Sequence, residues 1–561
     1  MKRIMVAAVL GLALWGGTVF GCTNFLVTPG ASVNGNAMIT YAADAHVLYG
    51  ELYFRPAADY PPGAMQDIIE WDTNRLLGQI PQLSHTYSVI GNMNEHQVAI
   101  GETTYGGRSE LMDSTGLIDY GSLIYITLQR ARTAREAIKI MGELVAEYGY
   151  ASSGESFSIA DPHEVWIMEL IGKGTEMVNK GGKTFNKYKG AVWVAVRIPD
   201  GYVSGHANQA RIRQFPLEDP ENCLYAPDVI EFAKEKGYYS GPDVDFSFSD
   251  TYAPVEFGGA RFCDLRVWSF FKDINDDMEQ YFSYVKGEDL ENRMPLYIKP
   301  NRKLSNKDLM NFMRDHLEGT ELDMSKDAGA GPFGLPYRWR PLSWEYDGKM
   351  YLNERATATQ QTGFSFIAEC RPMKPDWLGG ILWFGIDDAA ATTYVPMYCG
   401  MTRVPQSYAV GNGDLLTYSE TSAFWAFSFV SNFSYLRYNV MIEDVRKVQS
   451  ELEEKFITEV AAIDAAAAVL YKTNPDMARE FITNYSVNMG DYTVERYKKL
   501  GQFLLVKYID GNIKLEQNGV FLRSEDGYPL NPDQPGYSEQ WKEIVVKDAG
   551  KKLNMPKGES H

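Results

Sequence analysis

An α+β fold, with antiparallel sheet covered by helices, is what the hydrophobic pattern of this chain predicts, and three observations carry that expectation. From Cys22 to about Val203, short apolar runs alternate with turn chemistry and are interrupted once by a helical period. Strand-like text returns in "FSFIAEC", "GGILWFGID" and "TTYVPMYCG". From about Ala423 to Tyr508 the pattern is helical almost throughout.

Taken in order, "CTNFLVT" predicts a strand, "PGASVNGN" a loop and "AMITYAAD" a second strand. "YSVIGNMNEHQVAIGETT" predicts a hairpin, with apolar runs at 87–90 and 98–100 about a polar turn at Asn92–Gln97. "LIYITLQRARTAREAIKIMGELVAEYG" has apolar residues at helical spacing up to Gly149, which predicts one or two helices. "SGESFSIADPHEVWIMELIG" predicts a second hairpin that turns at Asp161–Pro162–His163–Glu164. "AVWVAVRIPDGYVSGHANQARI" predicts a further strand pair. The stretch 215–350 is aromatic, irregular and rich in Pro and Gly, and reads as insertions. "EDVRKVQSELEEKFITEVAAIDAAAAVLY" then has a long amphipathic period, and "KDAGKKLNMPKGESH" is a polar tail.

Composition narrows the function classes. With 561 residues, 45% hydrophobic and 13% aromatic, the chain can bury a large core, as two to four domain-sized units or one large enzyme fold. A net charge of -19 argues against phosphate-backbone binding, so no nucleic-acid partner is expected and the acidity is read as solubility. Of the five cysteines, Cys223, Cys263, Cys370 and Cys399 can either pair in an oxidising compartment or stay as buried thiols; their wide spacing is no disulfide scaffold. There is no CxxC or HExxH, and the seven histidines are scattered, so no metal or cofactor is expected. His96, His163 and His206 fall in turns or at strand ends and receive no catalytic role. The acids at Asp387–Asp388 and in the 161–164 turn read as solvated loop residues. P-loop and GxSxG patterns are absent.

The first residues read as a secretory signal. Lys2 and Arg3 precede an uncharged apolar run, and Val19 and Gly21 put small residues at the third and first positions before a cut after Gly21. The run is at the short edge of what spans a bilayer, and no later stretch is long and apolar enough. Removal of residues 1–21 by signal peptidase and export, to a periplasmic or extracellular location, are therefore expected. Such a cut leaves Cys22 with a thiol and an α-amine on one residue. An α-amine titrates at about 7.7–8.0, so it can take the proton of its own thiol near neutral pH. The thiolate then attacks an amide carbonyl, and donors elsewhere stabilise the oxyanion. A carboxylate on a neighbouring strand would orient the amine, and Asp44, at the end of "AMITYAAD", is the candidate from position alone.

With these residues in view, "CTNFLVTPGASVNGNAMITYAADAH" resembles the start of peptidase family C69, the cysteine dipeptidases, which are N-terminal nucleophile hydrolases. The resemblance continues through "IGNMNEHQVAIGETT", "YGYASSGESFSIADPHEVWIMEL", "RIPDGYVSGHANQARI", "RDHLEGTELDMSKDAGAGPFGLPYR", "GGILWFGIDDAAATTYVPMYCG" and "SAFWAFSFVSNFSYLRY", in the family's order. It implies a four-layer αββα sandwich over residues 22–440 in which Cys22 opens a central strand, followed by a helical extension and tail over 441–561. It implies that Asp44 orients the Cys22 amine and that Asn208 offers its amide to the oxyanion. Thr104, in the Thr103–Thr104 segment, would supply a second donor through its backbone N–H. Relatives usually carry an Arg where this chain has Tyr41; Arg266, in "CDLRVWSFF", is the candidate for that positive charge. A dipeptidase also needs an acid for the substrate amine, and Glu102 is the choice.

The implied activity is hydrolysis of dipeptides or small amides through a Cys22 thioester. Two alternatives stay open: an acylase of the penicillin V or bile salt kind, and a non-catalytic surface lipoprotein anchored through Cys22, the only case in which a membrane partner is expected. The C-terminal helices can pack on the core or against a second subunit.

Overall fold

The structure, a computed structural model, describes residues 21–557. The proposed signal therefore lies outside the described residues, apart from Gly21. The chain is an α+β protein built on two antiparallel sheets.

The first strands are β1 (Asn24–Val27) and β2 (Ala37–Asp44), which pair as expected, Leu26 opposite Ile39. β3 (Ala99–Gly106) ends the predicted hairpin, whose turn is subtler than its polar residues suggest. Val89–Ile90 and Met93–Asn94 form a tight hairpin about Gly91–Asn92, and Met93 then pairs with Ala99. Two helices follow, α1 (Tyr120–Leu128) and α2 (Ala134–Tyr148). Asp119 and Thr133 cap their N-termini through side-chain oxygens, and α2 stops at Gly149, whose φ of 79° a glycine adopts without strain.

The second predicted hairpin is β4 (Gly154–Ala160) and β5 (Val165–Gly172); Asp161 closes its turn by accepting the N–H groups of His163 and Glu164. β6 (Ala191–Arg197) and β7 (Val203–His206) are both strands, but they do not pair with each other. β6 adds to β5 and β7 to β1, so the Pro199–Asp200–Gly201 link crosses from one sheet to the other. Alternation cannot tell a hairpin from a crossover, because both give the same period of two.

The irregular middle holds short helices, among them α3 (Leu265–Ile274). β8 (Thr362–Cys370), β9 (Ile381–Ile386) and β10 (Val395–Tyr398) then extend the first sheet, and α4 (Ala423–Ser434), α5 (Tyr438–Tyr471) and α6 (Pro475–Tyr508) follow. The first sheet has the order β7-β1-β2-β8-β9-β10, with a short strand at Tyr297–Ile298 beyond β7. The second runs β6-β5-β4-β3 between short strands at either edge.

The two sheets face each other, with β2 against β3, β4 and β5. Ile100, Phe157, Ile159, Trp166 and Met168 of the second sheet form one buried core with α1 and α2. The first sheet carries α4, α5 and α6, so the C-terminal helices pack on this chain's own core. Glu453 of α5 is buried against Arg314 and Lys307, and Asp464 against Arg371. All four remaining cysteines are free thiols. Asp387 and Asp388, read from the sequence as solvated, are instead buried beneath α4: Ser428 and Ser431 donate to Asp387, and Tyr337 and Tyr435 to Asp388. Their partners come from distant segments, so the pair alone could not reveal its burial. Among the described residues no helix is long and apolar enough to cross a membrane, and no group of three or more His, Cys, Asp or Glu stands where it can hold a metal ion.

Candidate active site

Strand pairing sets the frame. β1 is central, flanked by β7 and β2, so residues just before β1, at the end of β2 and just after β7 converge at one end of the first sheet. Cys22 precedes β1, Asp44 closes β2, and Asn208 follows β7 with a φ of 64°, a left-handed conformation that Asn tolerates better than most residues. The second sheet contributes β3. Only Ala99 of β3 pairs with Met93, so beyond it the edge turned away from β4 is free of strand partners. Side chains take its carbonyls instead: Asn24 Nδ2 donates to Glu102 O at 2.6 Å and Asn208 Nδ2 to Thr104 O at 2.7 Å. In an antiparallel strand the N–H and C=O of one residue point to the same edge, so the Thr104 N–H lies on this free edge too. Gly101 permits the approach, since a Cβ there would meet Asn24 Oδ1 at 2.3 Å.

Cys22 is 5% exposed. Its backbone N–H donates to Asn208 Oδ1 at 2.9 Å, and its Sγ is 3.7 Å from Glu102 Oε1 and 3.9 Å from the Tyr41 hydroxyl. Burial, and then the nearby Glu102 and Asp44, push the thiol pKa well above its ordinary value. The thiol is therefore held neutral, and nucleophilic use of it demands a local base.

Asp44 is fully buried. Arg355 Nη2 pairs with its Oδ2 at 2.5 Å and Thr362 Oγ1 donates to its Oδ1 at 2.7 Å. Burial raises its pKa against the pull of Arg355. Arg355 Nη2 also donates to Gly21 O at 2.8 Å, and the Gly21 N–H donates to Asp44 O at 3.0 Å. The Gly21–Cys22 peptide is thus gripped on one side by Arg355 and Asp44 and on the other by Asn208. Arg266, on α3, donates to Cys22 O at 2.6 Å, Thr23 Oγ1 at 2.8 Å and Asn208 Oδ1 at 2.9 Å. Burial and the neighbouring Arg355 lower its pKa to about 10, so it stays cationic at neutral pH, on the carbonyl side of Cys22.

All five residues singled out from the sequence, Cys22, Asp44, Thr104, Asn208 and Arg266, are brought together, with Glu102 beside them. Arg355 was missed. It comes from the irregular middle, with no periodicity or motif to mark it, and meets Asp44 only through the fold. His206 is buried between Thr103 and Ser158 with its pKa depressed to about 3 by burial, which makes it a neutral structural residue.

Above the thiol lies a cleft with a cavity volume of about 200 Å³, walled by Cys22, Tyr41, Asp44, Glu102 and Thr104 and by Tyr53, Trp71, Asp72 and Tyr120. A buried thiol, an arginine-held carboxylate, a free strand edge and an acidic, aromatic cavity suit acyl transfer from a small cationic substrate to the thiol.

Residues 21–451 match peptidase family C69. The chain is 25% identical over 428 residues to a probable dipeptidase of Salmonella dublin, covering 72% of this chain and 86% of that protein. It is 23% identical to a probable dipeptidase of Latilactobacillus sakei, over 79% of this chain and 87% of that protein, and 20% identical to probable dipeptidase B of Streptococcus pyogenes serotype M1, over 86% and 92%.

Proposed function

The chain belongs to peptidase family C69 and is a peptide hydrolase, and from that premise we propose that it is an exported cysteine dipeptidase whose nucleophile is Cys22, freed as the N-terminal residue by a cut after Gly21. The helix, sheet, sheet, helix arrangement fits a four-layer αββα sandwich of the N-terminal nucleophile type. The observation that carries the reading is the placement of the Cys22 nitrogen. It lies 2.9 Å from Asn208 Oδ1, beside Asp44, on the residue whose own Sγ floors the acidic cleft.

In the described chain that nitrogen is still an amide, bonded to Gly21. Cleavage converts it to an amine from which Asn208 Oδ1 continues to accept, and it frees the backbone carbonyl of Asp44 from the Gly21 N–H. The amine takes the Sγ proton, and the thiolate adds to the peptide carbonyl carbon. The Thr104 N–H and the second N–H of Asn208 Nδ2 receive the developing oxyanion. The ammonium so formed gives its proton to the leaving amine, leaving a thioester on Cys22. Water, deprotonated by the same amine, then releases the acid and restores the thiol. Arg266 anchors Cys22 O and Asn208, and Arg355 fixes Asp44, so the two arginines position the machinery rather than the thiolate itself.

The test is the N-terminal peptide mass of the mature protein together with turnover of dipeptides by it and by Cys22→Ser. We expect an unmodified Cys22 terminus and a loss of at least about 10³-fold in kcat in the folded variant. Undiminished cleavage by Cys22→Ser, or a Cys22 carrying thioether-linked lipid and an acylated amine, overturns the reading.

A further inference from the structure

The cleft holds more negative charge than the hydrolytic step uses. Glu102, 2% exposed, lines the cleft and accepts from the Tyr41 hydroxyl at Oε1, while its Oε2 is turned away from solvent toward Glu155. Glu155, 1% exposed, accepts from Thr104 Oγ1 at 2.7 Å, and burial beside Glu102 raises its pKa well above the ordinary value, so that the two carboxyls share a proton. Asp72 and the Tyr120 hydroxyl that donates to it line the same cavity. No arginine or lysine is among the residues lining this cavity. The shared-proton pair and Asp72 keep negative charge beside the thiol that no cation lining the cavity balances, and a cationic group arriving from outside can balance it.

We propose that Glu102, supported by Glu155 and Asp72, is the subsite for the free α-ammonium group of the substrate, placed so that the bond cut is the one following the N-terminal residue. The proposal rests on Cys22 being the nucleophile. Its geometry is set by peptide dimensions. The α-nitrogen lies about 2.5 Å from the carbonyl carbon of its own residue. A carbonyl poised for attack stands about 3–3.5 Å from the nucleophile, so the ammonium of the N-terminal residue falls within a few Å of Sγ. Glu102 Oε1 is 3.7 Å from Sγ, and a charge-assisted N–H···O contact is about 2.7–2.9 Å long. An ammonium bonded to Glu102 and a carbonyl over Cys22 therefore belong to one residue. Moving the scissile bond one residue further from the amine would add a residue's length, up to about 3.6 Å, and break that match.

The test compares Phe-Ala with N-acetyl-Phe-Ala, and phenethylamine with 2-phenylethanol. We expect the wild-type protein to favour Phe-Ala in kcat/KM by about 100-fold or more, and Glu102→Gln to collapse that ratio to within a few-fold, with Glu102→Asp retaining much of it. If Glu102 merely accepts the thiol proton, Glu102→Gln slows both peptides equally and the ratio survives, which overturns the proposal. Equal cleavage of the two peptides by the wild type overturns it too. Calorimetric titration of the wild type keeps the proposal testable without turnover and without the variant: phenethylamine should bind and 2-phenylethanol should not, and equal or absent binding of the pair overturns it. Amine-selective binding with no cleavage of any peptide leaves this subsite standing and instead sinks the dipeptidase reading.

Discussion

Two of the glutamates that the fold removes almost wholly from water, Glu453 and Glu102, are treated in opposite ways. Glu453, on α5 behind the first sheet, is completely covered by ligands: Arg314 and Lys307 pair with it, and the Tyr394 N–H donates to it at 3.1 Å. Burial pushes its pKa up, but Arg314 and Lys307 outweigh that and hold it below the ordinary glutamate value. Glu102, in the cleft, has the Tyr41 hydroxyl on one oxygen and only another carboxyl, Glu155, at the other, and burial carries its pKa up to about 7. One carboxylate is compensated by its own chain and fastens a helix to a sheet. The other lines the cleft, where its own chain places no cation beside it. Buried charge is thus a structural element where its partners are built in and a functional one where they are missing.

Four substitutions sharpen or break this contrast. The largest expected effect is on stability at the compensated site: Glu453→Ala strands Arg314 and Lys307 and should cost about 3–5 kcal/mol in denaturant unfolding, with kcat per folded molecule unchanged. A near-neutral result would mean that the network adds nothing to the fold. Next, Asp44→Ala should lower kcat/KM by roughly 100-fold or more, because the amine loses the group beside it. A normal rate would place Asp44, with its Arg355 and Thr362 partners, in the same structural class as Glu453.

Glu102→Gln should do to stability the reverse of Glu453→Ala. A carboxyl whose folded pKa is raised binds more protons folded than unfolded, so its burden is absent below the unfolded value near 4.5 and grows as pH rises to about 7. The variant should therefore match the wild type in stability near pH 4.5 and exceed it at pH 8, by about 1–3 kcal/mol. Equal stability at both pH values would show that Glu102 is compensated after all. The smallest effect is expected from Tyr41→Phe. Its hydroxyl favours the Glu102 carboxylate, so removing it should move the rising limb of the kcat/KM–pH profile for a free-amine dipeptide to higher pH, by less than about one unit. The groups facing Glu102 there are Tyr41, Glu155, Asp72 and Cys22, and a downward move would reverse the assigned role of Tyr41.

Part of the site could be read along the chain. Small residues before Cys22 marked it as a prospective terminus, and Asp44 was marked by its place at the end of an apolar run, whereas Thr104, Asn208 and Arg266 came only from the family resemblance. Arg355 and Glu155 carry no such mark. Arg355 lies in a segment with neither period, and Glu155 sits inside an apolar strand where an acid looks like an outward-facing position.

What the sequence determined by itself is local. Hydrophobic period, capping residues and breakers set the helices Tyr120–Leu128, Ala134–Tyr148 and the three from Ala423 to Tyr508, and the small residues before Cys22 mark it as a prospective terminus. Only the tertiary structure decided that β6 and β7 belong to different sheets, that Asp387 and Asp388 are interior, that Arg355 grips both Asp44 and Gly21, and that Glu102 lines a cleft beside Glu155 with no cation among the lining residues. The physical reason is the range of the interactions. Period and capping act over a few residues, whereas the partners that satisfy or fail to satisfy a buried charge arrive from anywhere in the chain, and only the assembled packing determines which of them are present.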